Sequence, residues 1–77
     1  MNILDKYYKM CGLFYEHRSM IRMGKIHEPE YNTIVQEYEK LRQEIIKELG
    51  GEAIVINDSV IVCVNNFIDL IPVKDRN

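Results

Sequence analysis

"EAIVINDSVIVCV", residues 52–64, is the stretch on which the reading of this chain turns. Two apolar runs, Ala53 to Ile56 and Val60 to Val64, flank a polar Asn57-Asp58-Ser59 corner, the pattern of an antiparallel hairpin. A strand with one face in water alternates apolar and polar residues. These runs do not alternate, so both faces of the hairpin are apolar and both need cover. After a second corner at Asn65-Asn66, residues 67–73, "FIDLIPV", read as a third strand. Pro72 has no amide hydrogen to give to a ladder, which puts that strand at an edge or ends it there.

Immediately before the hairpin, Gly50-Gly51 closes a helix over residues 29–49. Pro29 suits its first turn, and Glu28 and Glu30 favour the positive end of the helix dipole. Tyr31, Ile34, Val35, Tyr38, Leu41, Ile45 and Leu49 recur as one apolar stripe, while Glu37, Lys40, Glu44 and Lys47 occupy the other side. An earlier helix spans residues 2–23. Asn2 caps it, with Asp5 as an acidic variant of the capping box. Ile3, Leu4, Tyr7, Met10, Cys11, Phe14 and Ile21 supply its stripe, and Gly24 its stop. Gly12 costs about 1 kcal/mol in mid-helix relative to Ala, which suits a place where another backbone comes close. The link through Lys25, Ile26 and His27 is short, so the helices form an antiparallel αα-hairpin. The expected fold is α+β, an antiparallel two-helix hairpin followed by a short antiparallel β-hairpin or meander. Residues 1–77 make one domain, with 52–73 as its β part and "KDRN" (74–77) as a frayed tail.

A domain of 77 residues hides only roughly 60–65 % of the surface its unfolded chain exposes. Small domains therefore add disulfides, a metal or a partner subunit. Hydrophobic residues make up 47 % of the chain, more than so small an interior absorbs easily, which favours a partner subunit. The cover for the second sheet face is expected from a second copy, by sheet-on-sheet packing or by strand pairing across a two-fold axis. The alternatives are a meander that curls over itself and a different protein. The expectation is thus a homodimer or higher homo-oligomer held through the apolar β segment.

The net charge of −2 lacks the strongly basic footprint of a dedicated nucleic-acid binder. No apolar stretch reaches the roughly 20 residues of a membrane span. "MNILDKYYKM" (1–10) carries Asp5, Lys6 and Lys9 where a secretory leader would be apolar. Cys11 and Cys63 are read as reduced thiols, and the chain as soluble and cytoplasmic.

Arg42 stands inside the apolar stripe of the second helix, between Val35 and Leu49 on the helical wheel. Such an arginine lays its methylenes on apolar surface and lets its guanidinium reach water. It could also stack on Tyr7 or Tyr38, pair with a carboxylate across a subunit boundary, or hold an anion. Arg18, Arg22 and Lys25 bring charge to the hairpin tip, near His17 and His27. The plain reading is a solvated end answered by Glu28 and Glu30, and the sharper one is a grip on a phosphate backbone or an acidic patch. Five tyrosines read mainly as core, with Tyr8 and Tyr15 the best placed to meet a partner.

His17, His27, Cys11 and Cys63 lack metal-ligand spacing, no base is placed to activate Cys11, and no Gly-rich loop follows a strand ahead of a helix. No metal, cofactor or catalytic residue is therefore expected. The functional expectation is a small non-catalytic interaction module or regulator, binding another protein through Tyr8, Tyr15, Arg18, Arg22 and Lys25. One alternative is a nucleic-acid-associated factor using the basic tip. Another is a small anionic-ligand binder or enzyme with a site at a subunit interface around Arg42.

Overall fold

Asn2 starts the first helix by accepting the Asp5 amide on its side-chain oxygen at 2.8 Å. In the computed structural model, which describes residues 1–73, helix α1 spans Ile3–Arg22 and helix α2 spans Pro29–Leu49. Gly24, with φ of 71°, lets the chain leave α1 through paired bonds from Lys25 N to Met20 O and from Gly24 N to Ile21 O. Gly50 is left-handed at the end of α2. Gly12 is not a point of close approach, since among the described residues nothing lies within 4 Å of where its Cβ would stand.

The helices run antiparallel, as contacts between the start of α1 and the end of α2 require. Lys6 Nζ lies 3.5 Å from Glu44 and 3.4 Å from Glu48. Farther along, the His17 and Tyr31 rings are 5.4 Å apart. Ile3, Met10 and Leu13 of α1 are buried with Leu41, Ile45 and Leu49 of α2. Lys6, His17 and Met20 are half-buried at the same three- and four-residue spacing. Phe14 and Ile21 lie outside this seam and are exposed. The stripe on α1 has two duties: one side faces α2, the adjacent side faces the sheet, and the sheet stops short of Phe14. Among the described residues no helix is long and apolar enough to cross a membrane.

Strands β1 (Ile54–Ile56), β2 (Ser59–Val64) and β3 (Phe67–Pro72) form an antiparallel meander in that order. The first corner is the two-residue loop Asn57-Asp58, so Ser59 belongs to β2 and pairs with Ile56. At the second, Asn65 and Asn66 both have positive φ, 53° and 68°. That is the signature of a type I′ turn, whose twist matches that of the flanking strands. Pro72 ends β3, which is an edge strand. The tail read as frayed, 74–77, lies outside the described residues.

The two tight loops fix which side chains face inward. Ile54, Ile61 and Leu70 form one cross-strand row, Cys63 and Ile68 the next, and all five pack into the helical core. Ile61, at the centre, is completely buried. The opposite face carries the row Val55, Val60 and Ile71, then Val62 beside Asp69, then Val64 beside Phe67. Val55, Val64, Phe67 and Ile71 on that face are exposed. The meander does not curl over itself.

Candidate functional site

Leu4, Tyr7 and Cys11 of α1 face the sheet and are partly buried against it. The same side of the hairpin continues toward the tip without cover, because the β2–β3 turn ends the sheet beside Tyr38 and Arg42. There the rings stack along the helices. Tyr38 and Phe14 have centroids 5.8 Å apart, Phe14 and His17 6.1 Å, His17 and Tyr31 5.4 Å, with interplanar tilts of 31–39°. Arg18 lies over the outer side of Phe14, its Cζ 5.8 Å from the ring centroid. Such a cation–π contact is worth about 0.5–1 kcal/mol at an exposed site. A cleft of about 200 Å³ opens between Tyr7, Phe14, Tyr15 and Tyr38 on the helices and Phe67 and Ile68 at the sheet end.

Arg42 closes a neighbouring hollow of about 310 Å³ that it shares with Tyr38 and the Asn65-Asn66 turn. Its Nη2 donates to the Asn66 carbonyl at 3.1 Å, and its Nη1 reaches Glu39 Oε1 at 3.3 Å. The Glu39 pair is exposed and worth little. The Asn66 bond is different, because it ties the turn to α2 across 24 residues of sequence. Replacing Arg42 with Met, which keeps the apolar stem, is expected to cost about 1 kcal/mol. Amide exchange should quicken at Asn65, Asn66 and Phe67 far more than at Val60 and Ile61. Uniform acceleration would mean that Arg42 does not act as a latch.

Burial pushes the Tyr7 phenol from 10.0 up to about 12, helped by hydrogen bonding to Cys11 and by repulsion from Cys11 and the Asp69 carboxylate. A backbone hydrogen bond at Leu70 pulls weakly the other way. The folded chain thus keeps a proton that the unfolded chain releases near pH 10. The resulting stabilisation is complete below that pH and is lost as pH rises toward about 12. Tyr7→Phe should flatten the fall in unfolding free energy over that interval, and an unchanged slope would place the late-titrating phenol elsewhere.

The residues singled out from sequence are only partly brought together. Tyr15 is 68 % exposed on the rim of the 200 Å³ cleft, and Tyr8 is exposed with its ring edge-on to Tyr7. Arg18 and Arg22 flank Ile21 in a shallow depression. Lys25 is not with them. It lines a separate hollow of about 450 Å³ with Glu16, Met20, Met23 and Glu30. Sequence reading missed Phe14, His17, Tyr31 and Tyr38 as a joint row, because they come from two helices. It also missed Phe67, whose place within an apolar run gave no sign that it is 78 % exposed.

No family model matches the chain, and neither does any curated protein or solved structure.

Proposed function

We propose that this chain is a small non-catalytic interaction module that works as a homo-oligomer, two copies meeting through the outer faces of their sheets. One observation carries the reading: the outer face presents Val55, Val60, Val62, Val64, Phe67 and Ile71, with Asp69 the single charge of its paired strands among the described residues. Full burial of a Val or Ile is worth roughly 1.5–3 kcal/mol relative to exposure, and a two-fold interface counts each residue twice.

Edge pairing is the weaker route to the same assembly. Val73 N donates to Asp58 O, so the odd-numbered amides of β3 point toward β2 and the even-numbered ones outward. Of those, Leu70 N already donates to its neighbour Asp69 at 3.1 Å and Pro72 has no hydrogen to give, which leaves Ile68 N as the single outward amide of the strand. Strand β1 is three residues long. Both edges are blunted in ways that discourage strand addition, so face-to-face packing is favoured.

Light scattering coupled to size exclusion tests the reading. The expected mass at micromolar concentration is at least twice the 9.1 kDa of one chain. A monodisperse single chain would refute it.

A further inference from the structure

The row Tyr38, Phe14, His17 and Tyr31 belongs to the helices and not to the outer sheet face, which it meets only at Phe67, so packing centred on Val55, Val60 and Ile71 leaves it open. We propose that this row is the floor of a docking groove for an acidic amphipathic helix of another protein. Three observations specify that occupant.

The floor is apolar and aromatic. Phe14 is exposed, Tyr31 and Tyr38 are half-buried, and Phe67 stands at the sheet end as a wall. Such a surface takes up large aliphatic or aromatic side chains.

The groove offers too little backbone for strand pairing. Of the outward amides of β3, Leu70 donates to Asp69 and Pro72 has none, which leaves a single one, Ile68, at the sheet end, and the helical hairpin presents side chains. An extended peptide lying here would leave its own N–H and C=O groups unsatisfied as it dries the floor. A helix satisfies them internally. The α1 stretch from Phe14 to Arg22 is about 12 Å long, the contact length of two to three helical turns.

The charge at the border is positive and uncancelled. Arg18 and Arg22 lie along the α1 side, and among the described residues neither has a carboxylate within 4.0 Å. Across the groove, Glu39 is already engaged by Arg42. Carboxylates on the visiting helix would answer the two arginines. A nucleic-acid strand fits less well. It brings a phosphate with every nucleotide, and two arginines on a chain of net charge −2 would neutralise few of them.

The probe is a labelled synthetic helix of about fifteen residues, Ala-rich, with one Leu stripe flanked by Glu. One twin carries Lys for Glu, another Ser for Leu, and a generic single-stranded RNA serves as the fourth ligand. Titrations are followed by anisotropy and by chemical shifts of the isotope-labelled full chain. The Glu helix should bind and shift Phe14, Tyr31, Tyr38 and Phe67, while the Lys and Ser twins should bind at least about tenfold more weakly. Reversing both arginines, Arg18→Glu with Arg22→Glu, should move the preference to the Lys twin, a gain that misfolding cannot mimic. Val60→Lys on the outer sheet face should leave the Glu helix bound as before, whatever it does to oligomer mass. The proposal is overturned by absence of shifts at millimolar Glu helix, by equal binding of the Lys twin, or by shifts confined to Val62 and Ile71. RNA binding that is tighter and falls steeply with salt would equally overturn it.

Discussion

Ile61→Ala is expected to lower stability by about 2–5 kcal/mol, the range for truncating a buried aliphatic side chain. A chain of this size has only about 4–11 kcal/mol in total, so the variant should sit close to its unfolding midpoint near body temperature. The reason is positional. Ile61 lies at the middle of the central strand, paired with Ile54 on one side and Leu70 on the other, and is 0 % exposed. It joins the sheet to the same buried cluster as Ile45 of α2, which likewise has no exposure. Truncation there opens a void under all three strands. Val55→Ala, by contrast, removes a side chain that is 70 % exposed and should change stability by less than about 0.5 kcal/mol in the isolated chain. Urea midpoints at matched protein concentration check both, since association would add its own stabilisation. A loss below 1 kcal/mol for Ile61→Ala would mean that the sheet is not seated on the helices through this residue.

Val60→Lys should dissociate the assembly without unfolding the subunit. Val60 is the middle of the most apolar outer row, between Val55 and Ile71. In a lone chain a lysine there points into water and lays its methylenes along the neighbouring valine and isoleucine. Across a two-fold interface two ammonium groups would be brought together and dried, with no carboxylate in that row to meet them. An unpaired buried charge costs several kcal/mol, so the dissociation constant should rise at least about a hundredfold. Scattering mass should fall to the 9.1 kDa of one chain while the far-ultraviolet dichroism is retained. A variant that stays associated would show that the copies meet on some other surface.

The helices were legible because their signals are local. Asn2 binds an amide three residues away, Pro29 sets its own φ, and Gly24 and Gly50 take a conformation that other residues resist. Each acts within one helical turn, whatever the rest of the chain does. The strands were legible as elements, but their inward and outward faces were not. With both faces apolar there is no period-two pattern to read, and Val60 and Ile61 look alike in sequence. The two-residue loop Asn57-Asp58 separates them, burying one and leaving the other on the open face.

The basic trio shows the opposite limit. Arg18, Arg22 and Lys25 are close in sequence, yet the chain turns at Gly24 and sends Lys25 to the hollow bordered by Glu16 and Glu30. Adjacency along a helix survives only while the helix lasts.

The sequence by itself determined the two helices, their stops, the presence of two β corners though not the length of the first, and the excess of apolar surface on the sheet, all consequences of forces acting over a few residues. Only the tertiary structure decided that the sheet ends beside Tyr38 and Arg42, that Arg42 ties the far turn to α2, and that Phe14, His17, Tyr31 and Tyr38 form one open row. How far a sheet reaches along two helices depends on contacts between residues tens of positions apart, and those exist only once the chain has packed.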